Sequence, residues 1–126
     1  MLEQIKKFEG NILAMEVIEG FTETDEKLAQ KFFQSKLDEG HEYIHVLIKL
    51  DEMKLSKTSI KAFFEDSLWA IRNYKSIGNI AIVAHSNILK ALVPIDSFFF
   101  QRLRKGFDER YFDVSDLDKA MDFISQ

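Results

Sequence analysis

The sequence predicts an α/β sandwich: a mostly parallel, mixed sheet of about five strands covered by about four helices, in the order β-β-α-β-α-β-α-β-α. Two observations predict it. Short apolar runs such as "YIHVLIKL" (43–50) and "NIAIVAH" (79–85) have the length and composition of strands buried on both faces. Longer amphipathic segments alternate with these runs, and helical connections carry a chain to a parallel neighbour. We therefore expect the first strand alone to be antiparallel.

The length and the composition of the chain predict one soluble domain spanning residues 1–126. There is a single proline and no low-complexity linker, and 46% hydrophobic with 30% charged residues is ordinary for a globular protein. A net charge of -4 argues against a nucleic-acid partner. Without cysteine there is no disulfide, no thiolate metal site and no cysteine nucleophile. The N-terminus lacks a signal-peptide pattern and no apolar run reaches the roughly 18 residues of a membrane span, so we expect a cytoplasmic protein.

A strand hairpin is expected to open the chain. Residues 2–8 are typical of an edge strand and residues 11–21 of its partner, with Glu9, Gly10 and Asn11 as turn residues.

The first helix is predicted over 22–40. Thr22 or Thr24 can cap its start, acids crowd its first turn, and Gly40 suits a left-handed residue after its end. Three apolar residues at helical spacing are expected to face the sheet: Leu28, Phe32 and Phe33.

The second half repeats the alternation of strands and helices. In order, the predicted elements are a strand at 43–50, a helix at 57–78 that stops at Gly78, a central strand at 79–85, one or two helices at 87–105 broken or begun at Pro94, an edge strand at 108–114, and a last helix at 115–126 capped by Ser115 with Asp118 three residues on.

This element order, together with "YIHVLIKLDEM", "NIAIVAHSN" and "ERYFDVSDLDKAMDFI", resembles the SpoIIAA-like group of small bacterial proteins. That group is related to the STAS domain and is described as STAS/SEC14-like. The resemblance covers nearly the whole chain, but its motifs are loose hydrophobic patterns. It implies a STAS-like fold and a binding module for a nonpolar ligand or a membrane surface, with no established catalysis.

STAS domains of the anti-sigma-factor antagonist type carry a phosphorylatable serine in an Asp-Ser-Ser-Gly motif. Matching "LIKLDEMKLSKTSIKAF" to that pattern places Lys57, Thr58, Ser59 and Ile60 on the motif, so the hydroxyls remain while the acid and the glycine are replaced. The resemblance makes Thr58 and Ser59 candidate phosphorylation residues. The alternative is that they are ordinary residues of a helix start.

Trp69 is expected on the polar side of the second helix. At about 100° per residue it lies roughly opposite the apolar stripe that contains Phe63 and Ile71. A tryptophan there marks a partner surface, unless a neighbouring helix covers it or the ring lies flat on the stems of neighbouring side chains.

Three consecutive phenylalanines, 98–100, cannot share one face of a helix. Phe99 falls on the buried stripe of a helix over 88–104, while Phe98 and Phe100 lie near its two edges. Their cover could be another helix, an apolar ligand, a second subunit, or lipid headgroups met by the basic residues that follow. Those residues are Arg102, Arg104 and Lys105. The alternative is a wide core face.

The histidines give no catalytic or metal pattern. His41 is in a loop, His45 on a strand, and His85 at the carboxyl end of a central strand, where open α/β sheets bind ligands. No nucleophile elbow, phosphate-binding glycine loop or metal-ligand spacing accompanies His85. We therefore expect no metal and no cofactor.

The sequence thus predicts a non-catalytic module for a nonpolar ligand, a lipid or a membrane surface, acting through the helices at 57–77 and 87–105, with the protein peripheral at the membrane. The alternative is a STAS-type regulator that docks a protein partner or a second copy, with phosphorylation at Thr58 or Ser59. An enzyme that uses His85 is the least favoured interpretation.

Overall fold

The computed structural model describes residues 2–6, 10–18, 22–51, 77–85 and 109–125. They form five strands, two α-helices and one 3-10 helix. In chain order these are β1 Leu2–Lys6, β2 Ile12–Ile18, α1 Glu23–Asp38, β3 Ile44–Asp51, β4 Ile77–Ala84, β5 Glu109–Asp113, the 3-10 helix Val114–Asp116 and α2 Leu117–Ile124.

The strands lie side by side in the order in which they occur in the chain, β1-β2-β3-β4-β5. β1 pairs antiparallel with β2, and the remaining three pairings are parallel. The predicted hairpin, the parallel sheet and the two edge strands are therefore confirmed. The central strands are nearly continuous apolar runs because both of their faces are buried.

One face of the sheet packs against α1, and we call it the α1 face. Alternate residues of three strands point into it, among them Leu13, Val46 and Ile82, together with Ala29 and Phe33 from the helix. Phe33 is fully buried, and burial of a side chain of that size contributes roughly 1.5–3 kcal/mol to folding. The expectation for α1 is only partly met, because Leu28 and Phe32 lie on its flank and are half-buried.

The opposite face packs against α2, and we call it the α2 face. Ala14, Leu47, Ala81 and Val83 are its buried strand residues, and Ala120, Phe123 and Ile124 cover them. The Phe123 ring lies 5.9 Å from the Phe112 ring, centroid to centroid, and the Arg110 guanidinium lies 4.7 Å from the Phe123 centroid. The small residues on β2 and β4 let an eight-residue helix approach the sheet closely.

Helix α1 begins with a capping box. The Thr22 hydroxyl accepts from the Asp25 backbone N–H at 3.2 Å, and the Asp25 carboxylate accepts from the Thr22 N–H at 2.9 Å. The same carboxylate accepts from the Leu2 N–H at 3.1 Å, which ties β1 to the start of the helix. At the other end Gly40 has φ +94°, the left-handed conformation that the sequence predicted.

Strand β4 begins at Ile77, so Gly78 is not the end of a helix as predicted but lies inside a strand. The β3–β4 register places His45 opposite two residues of β4, Gly78 and Asn79, which is a β-bulge. The His45 ring fills the space that a side chain at position 78 would occupy. Its Nδ1 accepts the Asn79 backbone N–H at 2.8 Å.

The last helix also differs from the prediction. Ser115 does not cap it. Asp113 instead accepts from the Ser115 backbone N–H at 2.9 Å and from its hydroxyl at 2.6 Å, so one turn of 3-10 helix comes first. α2 then starts at Leu117, and its N-cap residue Asp116 makes no side-chain cap hydrogen bond. The charged Asp113 carboxylate accepts strongly from both Ser115 donors, and these bonds hold Ser115 in the 3-10 turn instead of at the start of the α-helix.

The prediction of about four helices is not supported, since the described residues contain two α-helices. The other two predicted helices fall on 57–78 and 87–105, which lie outside the described residues apart from Ile77 and Gly78.

We expect Gly78→Ala to destabilise the protein by about 1–3 kcal/mol, the usual cost of overpacking a core. A Cβ at this position would lie 2.5 Å from His45 Nδ1 and 2.6 Å from Cε1, and the ring is buried and held by the Asn79 N–H. Urea unfolding measures the loss of free energy.

His45→Ala provides the matched background. It removes the ring and leaves the Asn79 N–H unsatisfied, so by itself it should also destabilise the protein. In that background Gly78→Ala should cost far less, because the clash has gone. An equal cost of Gly78→Ala in both backgrounds would show that the histidine ring is not what demands glycine.

Candidate functional site beside the edge strand

Three polar side chains are buried in the described part of the chain, and each bonds to backbone of another element. Asp25 accepts from Leu2 N–H, the Lys36 Nζ donates to the Gly10 carbonyl at 3.0 Å, and His45 accepts from Asn79 N–H. Burial of charged or polar groups is costly unless they are paired. These three residues therefore join secondary-structure elements at places where the backbone alone leaves a donor or an acceptor without a partner.

The protonation states match these roles. Burial lowers the pKa of His45, which favours the neutral imidazole whose Nδ1 can accept a hydrogen bond. Burial alone raises the pKa of Asp25, but the hydrogen bonds from the Thr22 backbone and hydroxyl outweigh it, so that the pKa lies below its ordinary value. Asp25 is thus charged at neutral pH, as a carboxylate that accepts several N–H and O–H bonds should be.

An open groove of about 290 Å³ runs between β1 and one flank of α1. Its apolar lining comes from Leu28 and Phe32, which lie one turn apart on the helix and are half-buried. Its polar lining consists of Gln4 from β1 and of Lys31, Ser35, Lys36 and Glu39 from the helix. The groove exists because α1 directs its Ala29–Phe33 stripe at the sheet, which leaves the neighbouring stripe over the sheet edge.

The charges along the groove are unequal. Lys36 Nζ is held by the Gly10 carbonyl and lies 3.8 Å from the Glu39 carboxylate, which also lies 3.2 Å from His41 Nε2. Lys31 is exposed and pairs with no described residue. Among the described residues, the groove therefore offers an apolar floor and, at its rim, one cation without an ion-pair partner.

The carboxyl edge of the sheet holds a smaller polar cluster. His85 is exposed directly after β4, and Asp113 on β5 lies opposite Ala84, the residue before it. The hydrogen bond from the Ser115 hydroxyl, that from the Ser115 N–H and the nearby His85 together lower the pKa of Asp113, with burial opposing them weakly. Asp113 is thus the N-cap residue of the 3-10 helix.

A further ion pair lies on the α2 face. Lys49 Nζ is 3.4 Å from the Glu16 carboxylate, on neighbouring strands in direct register.

Most residues that the sequence singled out as sites lie outside the described residues. They are Thr58, Ser59, Trp69, Phe98, Phe100, Arg102, Arg104 and Lys105. The three histidines are all described: His41 contacts Glu39, His45 closes the bulge, and His85 stands at the predicted strand end.

Sequence reasoning missed the groove. The available signal was the pair Leu28 and Phe32 at i,i+4, beside the Ala29 and Phe33 pair, which makes an apolar face wider than a helix on a sheet edge can bury. Within the described ranges no three His, Asp or Glu side chains group as metal ligands. In the same ranges, no helix is long and apolar enough to cross a membrane.

We expect Ser115→Ala to raise the pKa of Asp113 toward its ordinary value of 3.8, because it removes the hydrogen bond from the Ser115 hydroxyl, which lowers this pKa more than the bond from the Ser115 N–H does. Carboxyl carbon shifts followed by NMR across acidic pH report this value. His85→Gln removes only a nearby charge and should raise it less. A larger effect of His85→Gln would contradict the hydrogen-bond account.

The family model described as SpoIIAA-like matches residues 12–125, which includes every described element except β1. No curated protein and no solved structure matches significantly. The family match covers most of the chain and agrees with the observed sheet. The chain belongs to the SpoIIAA-like family.

Proposed function

We propose that this protein is a non-catalytic regulatory module that acts by docking a protein partner. Family membership supports this proposal, because SpoIIAA-like proteins of the STAS type are generally non-enzymatic regulators and commonly interact with protein partners.

The observation that carries the proposal is the use of the buried polar side chains. A catalytic acid, base or nucleophile must have its reacting atom directed into a pocket, where it can exchange a proton or a bond with the substrate. Here Asp25, Lys36 and His45 are each bonded to backbone and stabilise the joints of the fold. The buried polar side chains of the described residues therefore stabilise the fold, and we place the functional residues on the surface.

Affinity capture from an extract of cells that naturally make the protein tests this proposal. We expect a defined protein partner at a fixed stoichiometry, and native mass spectrometry of the eluate should give a complex equal in mass to the bait plus that partner. An eluate that contains the bait and a small molecule but no partner protein, at any extract concentration, would overturn the docking proposal.

The same experiment tests phosphorylation as part of the proposal. Thr58 and Ser59 are the candidates, on the family resemblance of their positions. A phosphate adds charge and strong acceptors, so a switch residue should respond to an acidic replacement. Different partner yields from Ser59→Asp and Ser59→Ala baits support a switch, and equal yields remove it.

The stretch "SFFFQRLRK" (97–105) favours a second candidate function, binding of a nonpolar ligand or a membrane surface. There Phe98 and Phe100 would meet a nonpolar ligand or lipid, with Trp69 on the preceding predicted helix, and the basic residues would hold the protein peripherally at a membrane. Anionic headgroups attract such clusters by roughly 1 kcal/mol per basic residue.

Vesicle flotation separates the two functions. On the membrane interpretation, wild-type protein floats with phosphatidylserine vesicles, and neutral replacement of Arg102, Arg104 and Lys105 weakens binding by roughly 3 kcal/mol in total. Raised salt should reproduce that loss, since the attraction is screened. Wild-type protein that stays at the bottom of the gradient at low salt would remove the membrane interpretation.

A further inference from the structure

We infer that the partner docks by strand addition: an extended segment pairs with β1 and places an apolar side chain in the groove and an acidic one beside Lys31. This inference rests on the proposed function and names the surface and the chemistry of the partner segment. It requires an edge strand with outward backbone groups, a groove beside it, and a charge that selects the occupant.

The backbone of β1 supplies the first requirement. β1 is the edge of the sheet. In an antiparallel pair, the N–H and C=O of alternate residues point away from the partner strand. Leu2 N–H donates to Asp25 rather than into the ladder, so the outward set contains Leu2 and Gln4. Within the described part of the chain, Gln4 makes no hydrogen bond beyond the β1–β2 pairing.

Asp25 also limits where a new strand can pair. By accepting the Leu2 N–H it occupies the first outward donor and covers that end of the edge with the start of α1. The other end is interrupted by the register shift between Gln4 and Lys6. A short edge with one open position resists continuous sheet-to-sheet stacking, yet it can still anchor a short segment.

The groove supplies the second requirement. The Gln4 side chain lines it, so the face of β1 that Gln4 points to is the face where the groove lies. A strand added beside β1, about 4.8 Å away, would direct every second side chain to that same face. Those side chains would lie over Leu28 and Phe32.

The size of the groove suits one or two side chains of a partner better than a whole small molecule. Small-molecule sites are commonly about 300–1,000 Å³ and enclose most of their ligand. This groove, at about 290 Å³, is open and lies at the lower limit of that range. One aromatic or long aliphatic side chain with its neighbour fits such a space.

Charge supplies the third requirement. Lys31 is the cation at the rim without a described partner, while Lys36 is engaged by Gly10 and Glu39. An acidic residue two positions from the apolar one stays on the same face of the added strand and lies toward α1. The preferred segment is therefore apolar-x-acidic in an extended conformation.

The probe is the peptide acetyl-Thr-Phe-Thr-Glu-Thr-Val-amide, titrated into isotopically labelled full-length protein and followed by amide NMR shifts. We expect shifts at Gln4, Lys31 and Phe32. The twin peptide with lysine in place of glutamate should bind about two- to fivefold more weakly, the range of one exposed ion pair. Absence of shifts at these residues at millimolar peptide overturns the inference.

A charge reversal makes the test specific. With Lys31→Glu the preference should invert, so that the lysine peptide binds more tightly than the glutamate peptide. Lys119→Glu is the matched control, because Lys119 is an exposed lysine on α2, on the other face of the sheet. An inversion with Lys119→Glu, or none with Lys31→Glu, overturns the assignment of the groove.

Backbone methylation tests strand addition itself. Two methylated peptides are compared: one is N-methylated at Phe, Glu and Val, and the other at the three Thr residues. Only one edge of an added strand pairs with β1, so one of these peptides should lose the NMR shifts and the other should retain them. Equal binding of both peptides means that the groove takes side chains without strand pairing, which overturns the inference.

Failure here is distinguishable from failure of the proposed function. If Lys31→Glu bait captures the natural partner at the wild-type yield, docking stands but occurs elsewhere. If the peptides behave as expected while no partner is captured, the groove stands as a peptide site and the regulatory proposal fails.

Discussion

A sheet covered on both faces imposes one constraint on everything around it: each interruption of its backbone hydrogen bonding must be met by a side chain, because water has little access. Within the sheet, His45 accepts the Asn79 N–H at the bulge between the two central strands, and Asp25 accepts the Leu2 N–H at the edge. Leaving a buried donor of this kind without a partner costs roughly 1–3 kcal/mol. Lys36 donates to the carbonyl of Gly10, an exposed turn residue, so in that bond the buried group that gains a partner is the ammonium.

Two of these bonds come from α1, and both reach the β1–β2 hairpin. Asp25 near the start of α1 holds the first residue of β1, and Lys36 near its end holds the turn residue Gly10. The helix is therefore bonded to the hairpin at two points, one near each of its ends. Between these two bonds, Leu28 and Phe32 lie beside the sheet edge, and the groove is the open space there.

The sequence predicted what depends on composition and periodicity, and it missed what depends on contacts distant in the chain. The apolar runs, the Thr22 cap and the left-handed Gly40 follow from local patterns, and all are observed. Gly78 looked like a helix end, but it is a strand residue whose missing side chain makes room for His45, 33 residues earlier. The error at Ser115 is of a different kind, because it depends on a neighbour: the residue was predicted as an N-cap, but its N–H and hydroxyl donate to Asp113, two residues earlier.

The strand order bears on the carboxyl edge of the sheet, where His85 is the least favoured of the sites considered from the sequence. Ligand crevices in open α/β sheets form where the strand order reverses, because the connections on either side then leave in opposite directions. Here each strand pairs with the next one in the chain, from β1 to β5, so the described sheet has no reversal. His85 and Asp113 share that edge, and the Asp113 carboxylate already accepts two hydrogen bonds from Ser115. The antiparallel β1 is the element that breaks the regular pattern. It leaves an outward backbone beside a half-exposed helix flank, which is where a binding module of this topology has room for a partner.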